Sequence, residues 1–226
     1  MLFMVLGRGK TGSLVAKVAS ERGHGVRVVG EEENRNAAAL TAPVLAGFDA
    51  IIDFTTPEAA VQNMRACLAT GARMVVGTTG WYQHLDDMKA LAQRRGGALL
   101  YGSNFSVGVQ ALFKVAGELA TAAHGYRFSI TETHHATKKD APSGTALTLK
   151  RIIEAASPGI SVEIASKREG DVVGIHEVEA RSDNDVLALK HEAHSRRGFA
   201  EGAVRAAEWI TGKTGYWDFE EIVGQL

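Results

Sequence analysis

Six apolar residues, Met1-Leu2-Phe3-Met4-Val5-Leu6, run straight into Gly7-Arg8-Gly9-Lys10-Thr11-Gly12. A strand that ends in G-x-G-x-x-G and opens a helix starts a βαβ unit, and each glycine there has a mechanical task. Gly7 makes the tight turn, Gly9 lets the backbone approach a pyrophosphate, and Gly12 lets helix pack closely on strand. The N-terminal end of that helix is positive and offers backbone amides to the pyrophosphate. Glu31, 19 residues beyond Gly12, falls at the end of the next strand, where a carboxylate can bond a ribose 2'-hydroxyl. The competing reading is a ligand-free glycine turn. The placement of strand, helix and acid favours a dinucleotide.

The first hundred residues continue the alternation. Strands are expected over 2–6, 26–29, 50–54, 73–76 and 98–101, with helical spacing over 12–21, 58–69 and 82–94. Near-continuous apolar strands between helices predict a parallel sheet covered on both faces. The Ala-rich stretch 31–46 has room for only a stub of a second crossover helix. Two polar loops follow strand ends on the expected ligand edge, Gly77-Thr78-Thr79-Gly80 and Ser103-Asn104-Phe105-Ser106, and would face the nicotinamide half of a cofactor. Three acids, Glu31-Glu32-Glu33, repel a 2'-phosphate, whereas Arg8 and Lys10 can neutralise one. NADH and NADPH both remain open.

Beyond residue 101 the pattern changes. A helix over 109–124, a strand over 126–133, a polar loop and a helix over 143–156 are followed by strands over 161–166, 174–181 and 185–191, then a helix over 199–211. Strands no longer alternate one for one with helices, which predicts a second, open mixed sheet. The densest chemistry lies in Glu132-Thr133-His134-His135-Ala136-Thr137-Lys138-Lys139-Asp140-Ala141-Pro142-Ser143-Gly144-Thr145-Ala146. Ser143, Gly144 and Thr145 open a helix whose amides suit a carboxylate, with lysines close upstream. Strand alternation puts Glu132 and His134 on one face, where the carboxylate can orient the imidazole and raise its basicity. The bland alternative is a solvated loop with an ordinary N-cap.

Composition narrows the partners. With 25 basic and 26 acidic residues among 226, no net field recruits nucleic acid or an anionic membrane, so an anionic ligand must be caught locally. No apolar run reaches the roughly 18 residues of a membrane span, and the start lacks the charged and longer apolar regions of a secretory signal, so a cytoplasmic protein is expected. The single Cys67 excludes a disulfide framework and a thiolate metal cluster. Adjacent His134 and His135 point to opposite sides of an extended chain, and His176, His191 and His194 show no ligand spacing, so no metal is expected.

The segment from Glu132 to Ala146 resembles the signature E-x-H-H-x-x-K-x-D-x-P-S-G-T-A of the dihydrodipicolinate reductase family at every specified position. The glycine turn, the two polar loops and Arg168-Glu169-Gly170-Asp171-Val172-Val173-Gly174-Ile175-His176 resemble further family segments in order. The resemblance implies reduction of a cyclic imine dicarboxylate by NADH or NADPH, in lysine and diaminopimelate biosynthesis. It assigns His134 as proton donor, Lys138 as a second catalytic group, and His135, Lys138, Gly144 and Thr145 as holders of the substrate carboxylates. It places the cofactor on Gly7, Arg8, Gly9, Lys10, Thr11, Gly12, Glu31, Gly77, Thr78, Thr79, Ser103, Asn104, Phe105 and Ser106. The implied fold is α/β, with a Rossmann dinucleotide-binding domain over 1–104 joined by 199–226. A second α+β domain on an open mixed sheet, 105–198, would bind substrate and associate into a homotetramer. Two departures fall on the adenosine side: 31–48 is shorter than usual, and Glu32 stands where some members carry a phosphate-binding arginine. A different dehydrogenase or a non-catalytic nucleotide sensor would share the glycine turn without needing the His-His-Lys cluster.

Overall fold

Alternate residues of the early strands face opposite sides of one sheet, and both sets are buried. The computed structural model describes residues Met1–Leu226 and divides them into two units, Met1–Ser106 with Arg197–Leu226, and Val107–Arg196. The first unit begins β1 (Leu2–Leu6), α1 (Lys10–Glu21), β2 (Gly25–Val29), α2 (Ala42–Leu45), β3 (Ala50–Asp53), α3 (Pro57–Ala69), β4 (Arg73–Val76), α4 (Leu85–Arg95) and β5 (Ala98–Tyr101). Its strands run parallel in the order β2-β1-β3-β4-β5. Met4, Leu6, Ile51, Met74, Val76 and Leu99 form one core with Met64 and Leu68 of α3 and Met88 of α4. Phe3, Val5, Ile52, Val75 and Leu100 are equally buried on the other parity, which explains the unbroken apolar runs in the sequence. The expected stub is α2, four residues long, preceded by a 3-10 turn at Arg35–Ala37. The stretch expected as one helix from 82 divides into a 3-10 turn, Tyr82–His84, and α4.

Because β1 lies between β2 and β3, the chain reverses its winding at the β1/β3 gap. In open α/β sheets that gap, at the carboxyl ends of the strands, is where ligands bind.

The second unit comprises α5 (Val107–Ala122), β6 (Arg127–His134), α6 (Gly144–Ala156), β7 (Glu163–Arg168), β8 (Gly174–Arg181) and β9 (Val186–Ala193). Its sheet has the order β7-β6-β8-β9, with β7 parallel to β6 and the other pairs antiparallel. Phe128, Ile130, Val178 and Ala180 pack against Phe113 and Ala116 of α5 and Leu149 and Ile153 of α6. The opposite face, including Ser129, Val186, Ala188 and Lys190, is exposed.

The chain then returns to the first unit as α7 (Arg197–Ile210), β10 (Gly215–Asp218) and α8 (Phe219–Ile222). Helix α7 packs beside α1 and over β3 and β4. Gly202 permits this, because a Cβ there would stand 1.8 Å from the Phe105 carbonyl oxygen. Strand β10 adds a sixth parallel strand beside β5 and was not anticipated from the sequence. No helix is long and apolar enough to cross a membrane.

Candidate active site

The sheet register of the first unit aligns Val29, Leu6, Asp53, Val76, Tyr101 and Asp218 in one row, so every following loop opens on the same edge. A cavity of about 770 Å³ lies there, lined by Gly7, Arg8, Gly9, Glu31, Asn34 and Thr55 among others. Gly7 has φ +102°, and a Cβ on it would lie 2.3 Å from the Phe54 carbonyl oxygen, so only glycine closes this turn. Gly12 is buried, and its Cβ would meet the Gly7 oxygen at 2.2 Å. A Cβ on Gly9 would meet nothing within 4 Å, and no side chain caps α1. A helix N-terminus with an open backbone approach fits a bound pyrophosphate. Thr11 lies in the first turn of α1, and Lys10 is exposed at its start.

Glu31 is exposed at the rim of the cavity. Glu33 accepts a hydrogen bond from Arg27 at 2.5 Å and lies 3.7 Å from the Arg8 guanidinium. Arg8 extends over Gly30, where a Cβ would come within 3.0 Å of it. Arg8, which lines the cavity together with Arg35, therefore already has an acidic neighbour.

Asp53, fully buried, ties the two halves of this edge together. Its Oδ1 accepts from the Thr55 amide (3.0 Å), the Thr55 hydroxyl (2.7 Å) and the Thr78 hydroxyl (2.9 Å), and its Oδ2 accepts from Asn63 (2.8 Å). Asn63 in turn accepts from Asn34 at 2.8 Å. Burial pushes the Asp53 pKa up, against the pull of its donors. Thr78 is thus fixed at its hydroxyl by Asp53 and at its carbonyl by the Trp81 indole N–H at 2.7 Å. Gly77 packs on the Phe54 ring, which a Cβ would strike at 2.2 Å, and Thr79 follows in the same loop. Beyond β5, Ser103 is exposed and Asn104 accepts from the Ser106 amide at 2.9 Å. The Phe105 ring is buried against Phe219, 4.5 Å between centroids, so it anchors this loop from inside.

In the second unit, His134 ends β6 with Glu132 on the same face, both buried. Glu132 Oε2 makes a short hydrogen bond to His134 Nδ1, and Oε1 accepts from Arg168 at 2.9 Å. Arg168 also donates to the Asp140 carbonyl at 2.5 Å, pinning the loop after His134. The Glu169 amide donates to the His134 carbonyl at 2.8 Å, and the Ala136 amide to Gly170 at 3.0 Å. Burial opposes the Glu132 charge, but hydrogen bonds from Ser166, Arg168 and His134 outweigh it and hold the carboxyl below its ordinary range. For His134 burial wins: with Lys138 and Arg168 adding to it, the pKa is lowered despite Glu132.

Lys138 Nζ donates to both oxygens of Asp140 at 2.7 and 2.8 Å, and the ammonium holds the Asp140 carboxyl below its ordinary range. An ammonium has three N–H donors, so one remains for another carboxylate. His135 is half-buried, its Nδ1 2.8 Å from the Thr137 hydroxyl. Gly144 and Thr145 form the first turn of α6, whose N-cap is Ser143. The Ser143 hydroxyl accepts from the Ala146 amide at 3.2 Å, not from Gly144. Imidazole, ammonium and helix end thus lie within one short stretch beyond β6.

Sequence analysis names Asp140, Arg168 and His176 without giving any of them its partner. Asp140 opposite Lys138 is local and readable as an i,i+2 acid. Arg168 was singled out only through the family resemblance. His176 arrives through the β6–β8 register, which sets it opposite Glu132. Donor atoms of Glu132, His134 and His176 lie within 4.8 Å of one another, a closeness of metal-ligating types that linear spacing does not reveal. Both Glu132 oxygens are engaged, by His134 and by the cationic Arg168, while His176 meets His134 ring to ring and pairs with Ser143 instead.

Comparison with known proteins gives the family. The family described as dihydrodipicolinate reductase, N-terminus, matches residues 1–105, and dihydrodipicolinate reductase, C-terminus, matches residues 108–223. A 4-hydroxy-tetrahydrodipicolinate reductase of Natronomonas pharaonis is 38% identical, covering 95% of this chain and 96% of that protein. One from Christiangramia forsetii is 33% identical over 100% of this chain and 99% of its own. Among solved structures, a dipicolinate-bound dihydrodipicolinate reductase from Paenisporosarcina sp. TG-14 shares the fold, with TM-score 0.79 and 21% identity, covering 98% of this chain and 99% of that one. An amine dehydrogenase from Mycobacterium smegmatis shares it at TM-score 0.66 and 12% identity, covering 97% and 95%. By sequence over nearly its whole length, this chain belongs to the dihydrodipicolinate reductase family.

Proposed function

We propose that this chain reduces 4-hydroxy-tetrahydrodipicolinate, a cyclic imine dicarboxylate, to tetrahydrodipicolinate, with His134 as the proton donor. The observation that carries the reading is the buried Glu132–His134 pair, set just before Lys138 and the α6 N-terminus. Release of the 4-hydroxyl as water leaves a conjugated imine. A bound reduced nicotinamide supplies the hydride, and the ring carbon that then carries the electron pair takes a proton. His134 holds that proton on its Nε2, since Nδ1 faces Glu132. The third N–H of Lys138, His135, and the Gly144 and Thr145 end of α6 hold the two carboxylates and stabilise charge developing in the ring. A bound dianion also raises the proton affinity of His134, so the acid form is favoured once substrate is in place.

On the cofactor side, Gly7, Gly9 and Gly12 form the pyrophosphate turn, Arg8, Lys10 and Thr11 flank it, and Glu31 bonds the adenosine ribose. Gly77, Thr78, Thr79, Ser103, Asn104, Phe105 and Ser106 form the nicotinamide edge. NADH is preferred over NADPH, because Glu31 lines the cavity and Glu33 lies beside Arg8. The exposed face of the second sheet, with Val186 exposed on it, supports association into a homotetramer, and a cytoplasmic enzyme is part of this reading.

The test is a coupled assay that generates the cyclic substrate in situ with each reduced cofactor. The reading expects turnover with NADH at a lower KM than with NADPH. His134→Gln should lower kcat about a hundredfold while leaving cofactor affinity unchanged. Turnover with no cyclic imine dicarboxylate, or equal loss of turnover and cofactor affinity in His134→Gln, contradicts it.

A further inference from the structure

A second buried imidazole sits beside the groups assigned above. His176 lies on β8, opposite Glu132 in the β6–β8 register, and is 4% exposed. Two residues earlier, Gly174 lies against His134: a Cβ there would come within 3.2 Å of His134 Nε2. His134 therefore rests over a position without a side chain and against the His176 ring, whose centroid is 5.1 Å away at 73°. On its other side, His176 Nε2 is 3.2 Å from the Ser143 hydroxyl oxygen. That hydroxyl, 2% exposed, is the N-cap of α6. One ring thus touches both the end of β6 and the start of α6.

Burial depresses the His176 pKa to about 4, so near neutral pH the ring is uncharged. A neutral ring can exchange one hydrogen bond with Ser143 without repelling a protonated His134. A charged one would oppose the acid form that protonation of the substrate requires. The Nδ1 atom is buried without a partner, so Ser143 supplies the ring's directional polar contact. A buried polar atom left unpaired carries a cost that a merely space-filling aromatic residue would avoid. Phenylalanine would fill this place without that cost, but it could not hold the Ser143 hydroxyl.

We propose that His176 is a positioning residue that joins the proton donor to the carboxylate-holding helix end. Through Ser143 it fixes the first turn of α6, and through its ring edge it fixes His134. The two halves of the substrate, its carboxylates and the carbon to be protonated, are thereby met in one register. The inference rests on the roles given above to His134 and α6.

The test compares His176→Phe, His176→Gln, Ser143→Ala and the His176→Phe/Ser143→Ala double variant in the coupled assay, with melting temperatures alongside. Loss of one hydrogen bond corresponds to about fivefold. His176→Phe should raise the substrate KM by about that factor and lower kcat, with cofactor KM unchanged. His176→Gln, which can bond Ser143, should recover the KM. The double variant should be no worse than Ser143→Ala alone, because that substitution already removes the link to His176 together with the Ala146 cap. A fall in melting temperature with kcat and substrate KM at wild-type values would make His176 a packing residue and overturn the proposal, as would additive effects in the double variant. Should His176→Phe fail to fold, the same decision rests on His176→Gln and Ser143→Ala: near-normal KM in the first with a raised KM in the second supports it, and any other combination overturns it. Wild-type turnover, with its loss in His134→Gln, checks the underlying assignment separately.

Discussion

Glu132→Gln tests the proton donor through its partner. The carboxylate is fully buried, bonded to His134 and to Arg168, and the substitution changes one atom while keeping the shape. Two unit charges about 4 Å apart at an effective dielectric near 20 interact by about 4 kcal/mol. His134 retains some solvent contact, so we take about 3 kcal/mol as the loss of stabilisation of its protonated form. At 1.36 kcal/mol per pH unit, that is about two pH units and about a hundredfold in the protonated fraction near neutrality. If His134 is the acid, kcat is highest at low pH and falls as pH rises through its ionisation in the substrate complex. Glu132→Gln should move that fall about two pH units lower, so that kcat is about a hundredfold down at pH 7.5 and approaches the wild type at the acid end. Arg168, deprived of its partner, should also cost on the order of 3 kcal/mol of stability. The position of the pH limb does not depend on how much protein is folded, so the two effects separate. A pH profile that keeps its position and merely scales down would refute the argument that Glu132 governs the ionisation of the acid.

Gly9→Ala and Gly12→Ala should part company. A Cβ at Gly9 meets no protein atom within 4 Å, so the variant should melt like wild type yet bind reduced cofactor at least tenfold more weakly in a titration. At Gly12 the Cβ would lie 2.2 Å from the Gly7 oxygen, so both melting temperature and cofactor affinity should fall; normal cofactor binding by either variant contradicts the pyrophosphate assignment. The His176 ring ionises near 6.5 in the unfolded chain and at about 4 when folded, so in that window the unfolded chain binds the extra proton. Its contribution, about 3 kcal/mol, is full above pH 6.5 and disappears as pH falls toward 4. His176→Phe should therefore lose less stability than wild type between pH 7 and 4.5 in denaturant titrations, and identical pH slopes for the two proteins would remove burial of His176 as the cause.

Much of the nucleotide side was legible because its physics is local. Strands buried on both faces need continuous apolar runs, and the glycine turn needs Gly7 and Gly12 for steric reasons that hold in any βαβ unit. Strand β10 was hidden because Gly215-Tyr216-Trp217-Asp218 is short, starts with glycine and shows no alternation; only the return of α7 places it beside β5. Asp53 did leave a signal, a carboxylate closing the apolar run Ala50-Ile51-Ile52, but beyond the neighbouring Thr55 its donors come from residues 10 and 25 positions away. In the second unit, Glu132 and His134 share a face by strand periodicity alone. His176 reaches them across 44 positions of chain through antiparallel register, which no short-range pattern encodes.

Transfer of hydrogen from the cofactor to the dicarboxylate ring is the central claim, and isotope labelling reads it most directly. With NADH carrying two deuterium atoms at C4 of the nicotinamide, and the cyclic substrate generated in ordinary water, the product should carry one deuterium from the cofactor and one proton from solvent. Cofactor oxidation that leaves the product ring unlabelled, or the absence of any cofactor oxidation with this substrate, would contradict the account.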